Sequence, residues 1–242
     1  MKLKSLKIML IILLVFGVAI SAVGAEKKAF TEDFMIERCT FSNVGSNPYF
    51  VLEPGFQLVL EGEDNKQIVR LVITVLNETE TITFNGIDIE TRVVEENESK
   101  DGQVVEISRN FFAICNDTNS IFYFGEEVDI FNEDGTITHE GAWRAGEGVN
   151  GGEPARPGII MPGTLLLGAR YFQEIAPDVA MDRAEILSIS EVVETPADTF
   201  ERCLKTIETS PLEPNAKDFK FYAPGIGLIV DGPISLTEVS FP

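Results

Sequence analysis

The stretch Val69-Arg70-Leu71-Val72-Ile73-Thr74-Val75, at residues 69–75, decides the fold class of this chain. Its apolar residues recur at every second position and would share one face of a β-strand, while Arg70 and Thr74 would lie on the other face. The same alternation recurs at residues 105–113 and 219–222. Most of the chain is therefore predicted to form short strands and not helices.

Within residues 105–113 the alternation also assigns faces. The apolar positions are expected to face the core of the domain: Val105, Ile107, Phe111 and Ala113. The polar positions between them are expected to face the opposite way: Glu106, Ser108 and Asn110.

Turn signals separate the predicted strands. Asn85-Gly86 and Asp101-Gly102 are typical of two-residue hairpin turns, and residues 116–119 and 132–135 are further polar breaks. This spacing predicts an all-β fold, an antiparallel meander of about a dozen strands that form a strongly curved sheet or barrel. Only residues 25–34 are expected to be helical, as a short N-terminal piece.

Residues 144–168, RAGEGVNGGEPARPGIIMPGTLLLG, interrupt the strand pattern with a high density of glycine and proline. A loop of this length inside a compact domain is usually functional or disordered. Its apolar centre at residues 157–162 favours packing on the domain. We therefore predict a strap over the sheet, and call residues 144–168 the strap.

Residues 1–25 have the layout of a secretory signal peptide. Three lysines precede an apolar run at residues 8–20, and small residues follow it. The run is shorter than a helix that spans a bilayer comfortably. The sequence thus predicts a signal peptide at 1–25, a single β domain at 26–242, and a periplasmic or extracellular location.

Charge narrows the range of partners. The chain carries a formal net charge of −20 at pH 7, and such a surface repels phosphate backbones and anionic headgroups, so nucleic acid is not an expected partner. Beyond the leader no apolar segment reaches the ~18 residues of a membrane helix, so no permanent span is predicted. An apolar small molecule or a lipid remains the expected ligand, and the sequence does not fix the oligomeric state.

The three cysteines allow three possible single disulfides, and their spacing does not choose among them. Export favours a disulfide. Cys115 follows Phe111 and Ala113 in strand register, and is therefore expected to be a buried thiol on the core face. By this argument we predict a Cys39–Cys203 bridge.

No catalytic residue, metal site or cofactor is predicted. His139 is the only histidine, and no Gly-x-Ser-x-Gly nucleophile turn occurs in the sequence. Three scattered cysteines and one histidine do not have the paired spacing of zinc ligands. We interpret His139 as a solvated histidine on a strand.

Paired carboxylates are an alternative source of chemistry. Hydrolysis of a glycosidic bond needs two carboxyl groups roughly 5–9.5 Å apart. Several acids of the central region could converge in the fold: Glu126, Glu127, Glu174, Asp178, Asp182 and Glu185. Because the chain has 39 acidic residues, chance convergence is also common.

Aromatic residues are the best candidates for a binding site. Residues 122–124 are three consecutive rings, so both faces of that strand carry one. We predict an apolar groove gated by the strap and lined by Phe122, Phe124, Trp143, Tyr171 and Phe172. The competing interpretation places these rings in a large aromatic core between sheet and strap.

Several segments occur in a fixed order: NPYFVLEPG at 47–55, IFYFGE at 121–126, GAWRAG at 141–146, PGIIMP at 157–162, YFQE at 171–174, LEP at 212–214 and YAPGIGL at 222–228. Together they resemble a family of uncharacterised exported prokaryotic proteins with NPYFPLxPG, VWYFGE, GSWEAG, PGIxMP, YxQE and LEP…YAPGxGL segments. The resemblance spans residues 47–230 and implies a shared fold and export, but no reaction. Where that family has Asp-Trp-Tyr-Ala-Gln-Asp, this chain has NFFAIC at 110–115, so two carboxylates that could have held a cation are missing.

Three functions remain open at this stage. The first is an exported, non-enzymatic β-domain that binds an apolar or amphipathic ligand, or an envelope component, in a concave sheet. The second is a hydrolase that uses paired carboxylates on a polysaccharide. The third is a structural envelope protein. An open apolar cavity would favour the first, facing carboxylates in a cleft the second, and a filled core the third.

Overall fold

The structure, a computed structural model, describes residues 29–148 and 151–242. The predicted signal peptide at 1–25 lies outside these residues. The described chain forms a 3₁₀ helix at Ile36–Arg38 and eighteen strands. In chain order the strands are β1 (Phe41–Ser42), β2 (Gly45–Asn47), β3 (Phe50–Leu52), β4 (Gln57–Asp64), β5 (Gln67–Phe84), β6 (Ile87–Lys100), β7 (Gln103–Cys115), β8 (Ser120–Phe131), β9 (Ile137–Thr138), β10 (Trp143–Arg144), β11 (Arg156–Met161), β12 (Arg170–Phe172), β13 (Glu174–Ile175), β14 (Arg183–Glu194), β15 (Thr199–Thr209), β16 (Asp218–Ala223), β17 (Gly227–Asp231) and β18 (Ile234–Ser240).

The predicted fold class is confirmed, because the protein is an antiparallel all-β sheet nearly closed into a barrel. Strands β4 to β8 pair in chain order, and so do β14 to β18. Pairing of β18 with β4 joins the two meanders along one side. Within the described residues, no helix is long and apolar enough to cross a membrane.

One short stretch of chain brings the two edges of the sheet together. Strand β12 pairs with β14 at one edge, and β13 pairs with β11 at the other. Only Gln173 separates β12 from β13, and its backbone N–H donates to the carbonyl oxygen of Asp182 at 2.8 Å. Such closure leaves few unpaired strand edges, which limits edge-to-edge association.

The hairpin turns that join the first meander follow the sequence signals. Both central residues have positive φ in the turns at Asn85-Gly86 (52° and 77°) and Asp101-Gly102 (51° and 81°). That combination defines the type I′ turn, whose twist matches the flanking strands. The β4–β5 turn has the same geometry at Asn65 and Lys66, with φ of 49° and 72°.

The strap prediction requires a correction. Its described part includes β11, at Arg156–Met161, which is a strand of the barrel wall and not a cover over the sheet. Gly158 of β11 pairs with Tyr123 of β8, and a Cβ at Gly158 would lie 2.4 Å from the carbonyl oxygen of Phe172. The apolar centre of the strap is therefore part of the sheet. The absence of a side chain at Gly158 lets the backbone at Phe172 pass close to β11.

The predicted N-terminal helix is not found in its described part. Residues 29–34 are non-helical, and the backbone N–H of Thr31 donates to the carbonyl oxygen of Arg170 at 2.9 Å. Packing overrides the local helical pattern here, because Phe34 and Phe41 place their rings against Phe122, with centroid distances of 6.1 Å and 5.4 Å.

The predicted Cys39–Cys203 bridge is wrong, because Cys39 pairs with Cys115. Strand β1 lies beside β7 with Phe41 opposite Cys115, and this pairing brings the two Cα atoms to 5.2 Å. Cys115 lies in the core as expected, but the N-terminal segment reaches it there and supplies Cys39 as its bonding partner. Cys203 is a buried free thiol on β15.

Candidate functional site

The interior of the barrel contains a cavity of about 330 Å³ that is apolar at one end and polar at the other. Its volume lies within the roughly 300–1,000 Å³ range of small-molecule sites. The apolar end is lined mainly by Phe50, Phe56, Leu58, Ile73, Val94 and Phe112. The polar end is lined mainly by Glu96, Glu106, Glu126, Glu174, Glu208 and Lys220.

The polar end continues into a second recess. This recess has a volume of about 620 Å³ and shares Glu106, Glu126, Glu208 and Lys220 with the cavity. It extends as far as Leu212, whose side chain is 41% exposed. The acidic side chains therefore lie between the apolar end of the cavity and the surface of the barrel.

Strand β7 shows how the sequence builds both ends. Its alternate residues Glu106, Ser108, Asn110 and Phe112 all line the cavity, so the interior changes from acidic to aromatic along one strand. Phe111 and Ala113 belong to the hydrophobic core as predicted, but the polar positions Glu106, Ser108 and Asn110 face the interior cavity. Phe111, only 2% exposed, is on the outer face, where the Arg144 guanidinium lies 4.8 Å from the ring centroid.

A β-bulge in β8 directs two further side chains into the cavity. Asn110 of β7 pairs with Glu126, whereas Phe112 pairs with Tyr123. Between these two pairs β8 advances by three residues while β7 advances by two, so β8 contains one extra residue. Gly125, with a φ of 156°, occupies this bulge. The shift in alternation lets Tyr123 and Glu126 both line the cavity.

The hairpin of β2 and β3 contributes to the apolar end, and we call residues 45–52 the plug hairpin. Phe50 of this hairpin lines the cavity, with its ring centroid 5.2 Å from that of Phe112. The side chain of Asn47 holds the turn: Nδ2 donates to the carbonyl oxygens of Asn119 (2.7 Å) and Pro162 (3.1 Å), and Oδ1 accepts from the backbone N–H of Tyr49 (2.9 Å).

Glu208 is the centre of a hydrogen-bonded network at the polar end. Its Oε1 accepts from Gln173 Nε2 at 3.0 Å and from the Tyr222 hydroxyl at 3.3 Å. Its Oε2 lies 3.0 Å from Lys220 Nζ, which is also 3.4 Å from Asp231 Oδ2. Burial by itself lowers the pKa of Lys220, but the two carboxylates outweigh it and raise that pKa well above its ordinary value.

The other carboxyl groups at the polar end favour the protonated state. Burial raises the pKa of Glu96 to about 7, although Lys220 opposes the rise. Burial, with repulsion from Glu96, raises the pKa of Glu126 to about 8. Burial and the nearby Asp182 carboxyl raise the pKa of Glu174 well above its ordinary value. Near neutral pH the polar end therefore holds protons as well as ionised carboxylates.

Gln173 has an unmet hydrogen-bonding capacity inside the cavity. The residue is 3% exposed and lines the cavity. Its Nε2 donates to Glu208, but its Oε1 is buried without a hydrogen-bond partner. Buried polar atoms of this kind are uncommon in folded proteins, and each one calls for an explanation.

The five aromatic residues proposed as groove lining are all buried, with exposures of 1% for Phe122, 0% for Phe124, 3% for Trp143, 4% for Tyr171 and 7% for Phe172. None of them is among the residues that line the cavity. Phe122 and Phe124 point to the outer face of β8, while Tyr123 between them faces the cavity. Trp143 packs against Tyr123, with ring centroids 5.1 Å apart. It therefore lies next to the cavity wall and not on its surface.

The acidic candidates divide into two groups. Glu126, Glu174 and Asp182 converge on the cavity. Glu127 instead bonds Arg144 at 2.5 Å, and Glu185 bonds Arg170 at 3.0 Å. Asp178 also lies away from the cavity, exposed in a turn. Across residues 29–148 and 151–242, no group of three or more His, Cys, Asp or Glu side chains is placed to hold a metal ion. His139 is on the surface, with Nδ1 3.0 Å from Asp129 Oδ1 and its side chain 68% exposed.

Sequence reasoning missed Glu96, Tyr123, Glu208 and Lys220 as site residues. A signal for Lys220 is present, because it alternates with the rings of residues 219 and 221 and so faces the opposite side of its strand.

No protein family, curated protein or solved structure matches this chain. The candidate site is thus defined by its own geometry.

Proposed function

We propose that this protein binds a small amphipathic molecule in the interior of its barrel. The observation that carries the proposal is a cavity that stays open inside a nearly closed barrel and divides into an apolar end and an acidic end. A filled interior would have favoured a structural role. The apolar part of a ligand would lie against Phe56 and Phe112, and its polar part among the carboxyl groups.

The family-like segments support the proposal. Tyr123 and Glu126 come from the segment at 121–126, and Tyr222 from that at 222–228, and all three line the cavity. Gln173 and Glu174, from the segment at 171–174, do so as well. Residues from three of the segments that resemble that family therefore meet at the proposed site.

We also propose that the protein acts outside the cytoplasm. The three lysines before the apolar run at residues 8–20 support this location, and the Cys39–Cys115 disulfide is compatible with an oxidising compartment. N-terminal sequencing of protein recovered from its native host should find a start near Glu26. Soluble cytosolic material with an intact Met1 would contradict export.

A thermal-shift and fluorescence titration tests the binding proposal. Single-chain amphiphiles with neutral, cationic and anionic headgroups are added to the purified protein, and the melting temperature and Trp143 emission are recorded. A ligand at about 100 times its dissociation constant stabilises the folded state by roughly 2.7 kcal/mol, which gives a clear shift. Trp143 should respond because its ring packs on Tyr123 of the cavity wall.

A cavity-filling variant provides the control for that test. Ile226→Phe adds volume to a half-buried residue of the lining and should weaken binding. Ile189→Phe makes the same change on a residue that is 38% exposed and should leave binding unchanged. If no amphiphile raises the melting temperature, or if both variants bind like the wild type, the proposal fails.

Hydrolysis is a second candidate, favoured by one observation. Glu126, with a pKa of about 8, holds a proton near neutral pH as a general acid would, while Glu208 of the same cavity is ion-paired with Lys220. Glu126→Gln should then abolish release of reducing ends from a polysaccharide panel. Absence of release by the wild type would remove this candidate and leave the binding proposal intact.

A further inference from the structure

The wall of the polar end uses its hydrogen-bond donors internally. The Tyr123 hydroxyl donates to Asn110 Oδ1 at 2.5 Å, and Gln173 Nε2 donates to Glu208. The Lys220 ammonium is ion-paired with Glu208 and with a second carboxylate on β17. These donors are therefore engaged within the wall, and a carboxyl group that loses its proton leaves acceptor oxygens that donors on a ligand can meet.

Gln173 gives an independent observation of the same kind. Its Oε1 is an amide acceptor that is buried without a hydrogen-bond partner, on a residue that lines the cavity. The amide cannot be reversed without cost, because Nε2 is bonded to the Glu208 carboxylate, which accepts and does not donate. A bound N–H group would satisfy this oxygen.

Charge then selects among possible donors. Six acidic side chains line the cavity, and within the described chain Lys220 is the only basic one among them: the acids are Glu96, Glu106, Glu126, Glu174, Asp182 and Glu208. An anionic ligand would be repelled by the ionised members of this group, and a neutral ligand would leave the protonated members protonated. A cation in the same place favours the ionised form of the neighbouring carboxyl groups and pairs with the charge that their deprotonation leaves.

We infer that the ligand of this cavity is an amine, with its ammonium group among Glu96, Glu126 and the Gln173 amide oxygen and its apolar part against Phe56 and Phe112. The inference rests on the proposed binding function, and specifies the ligand class of that site. An ammonium group carries three donors and a charge, which match the acceptors and the acidic excess. The apolar end matches a hydrocarbon or aromatic group attached to the nitrogen.

Three probes that share one hydrocarbon chain test the headgroup directly. Octylamine, 1-octanol and octanoate are titrated separately into the wild-type protein by calorimetry, at near-neutral pH and again at high salt. Octylamine should bind at least about tenfold more tightly than 1-octanol, as expected for hydrogen bonds to charged groups, and octanoate should bind most weakly. High salt should leave most of the octylamine affinity, because a buried site is screened far less than the acidic surface.

Variants then locate the ammonium group. Glu126→Gln keeps the shape of the side chain and should lower octylamine affinity roughly tenfold or more while changing 1-octanol affinity little. Glu63→Gln removes an exposed acid of β4 and is the control for adsorption to the surface. It should leave both affinities unchanged.

Proton release gives a readout that a purely structural role would not produce. Glu126 faces the carboxyl groups of Glu96, Glu106 and Glu174 and the side chains of Tyr123 and Ser108, and Lys220 is the cation of the cavity. An ammonium among these groups favours the ionised carboxylate, so a proton passes from the carboxyl group to the buffer. Binding heats measured in buffers of different ionisation enthalpy should show this release for octylamine and not for 1-octanol.

The outcomes separate this inference from the function on which it rests. Tighter binding of octylamine, sensitive to Glu126→Gln and accompanied by proton release, supports both. If 1-octanol or octanoate binds as tightly as octylamine, the amine inference is overturned and the binding function stands. If octylamine binding disappears at high salt or falls equally in Glu63→Gln, the amine contacts only the surface and the inference is overturned. If no probe binds, both fail.

Discussion

Gly125 determines which side chains of β8 reach the cavity. A Cβ at this position would lie 2.8 Å from the carbonyl oxygen of Trp143, and the φ of 156° is rare for any other residue. We therefore expect Gly125→Ala to lower the free energy of unfolding by about 2–4 kcal/mol. Gly135→Ala is the control, since its φ is 82° but no atom lies within 4 Å of the added Cβ. Gly135→Ala should lower the free energy of unfolding by only about 1 kcal/mol.

Urea denaturation followed by Trp143 fluorescence measures both variants. Equal losses in the two would show that backbone strain alone matters at Gly125, and that close contact with Trp143 does not. Because the bulge sets the register of Tyr123 and Glu126, a destabilised but folded Gly125→Ala protein should also bind amphiphiles more weakly.

At the residue scale the sequence predicted alternation but not which face is inside. The ring triplet at 122–124 correctly indicated that both faces of β8 carry aromatics, yet the cavity receives Tyr123 and not Phe122 or Phe124. The interior of this barrel is partly acidic, and its outer face is covered by the N-terminal segment. A rule that places polar residues outside therefore fails at Glu106, Ser108 and Asn110 of β7, and it cannot locate a bulge.

Among the secondary-structure elements, the plug hairpin is anchored to the barrel by a single side chain, that of Asn47. Asn47 is 2% exposed and makes three hydrogen bonds that reach Tyr49, Asn119 and Pro162. Asn47→Ala leaves buried carbonyl oxygens without these donors and should lower the free energy of unfolding by roughly 2–4 kcal/mol. Ser46→Ala, at an exposed position of the same strand, should change it by less than about 0.5 kcal/mol. Matching losses in the two variants would contradict this role of Asn47.

The disulfide ties the N-terminal segment to β7. Cys39 and Cys115 are 76 residues apart in sequence, so the double variant Cys39→Ser, Cys115→Ser should lower the free energy of unfolding by about 2–4 kcal/mol. Non-reducing peptide mapping should recover a linked Cys39–Cys115 pair and a single thiol at Cys203. That thiol should resist alkylation until the protein unfolds, because it is buried. A linked peptide that contains Cys203 would refute the pairing.

The sequence predicted the elements that are specified by neighbouring residues, such as hairpin turns. It did not predict the elements that form only by pairing with strands remote in sequence. Asn85-Gly86 and Asp101-Gly102 specify their turns by backbone conformation alone, so the hairpins of the first meander follow from the sequence. Strand β11 was not recognised, because its Pro and Gly residues are typical of loops. It is a strand only because β8 and the closing stretch supply partners on both sides.

The nearly closed barrel as a whole holds protons that the unfolded chain would release. Glu96 and Glu126 have pKa values of about 7 and about 8 in the folded protein, against an ordinary value of 4.5. Below about pH 4.5 both states are protonated, so the contribution to stability is fully present. Above that pH the unfolded chain loses these protons, while the folded protein keeps them up to about pH 7 at Glu96 and about pH 8 at Glu126. Stability from these groups therefore decreases as pH rises through this window.

The resulting prediction is a decrease in the free energy of unfolding between about pH 5 and about pH 8, on the order of a few kcal/mol, with little further change from these groups above that range. Urea denaturation at intervals of pH measures it. Glu126→Gln removes one of the two groups and should flatten the decrease, while the exposed Glu63→Gln should leave the slope unchanged. The raised pKa values would then be a property of the folded barrel, since the same carboxyl groups have ordinary pKa values once the strands separate. A stability that rises across this range, or a slope unaffected by Glu126→Gln, would show that water reaches these carboxyl groups as freely in the barrel as in the unfolded chain.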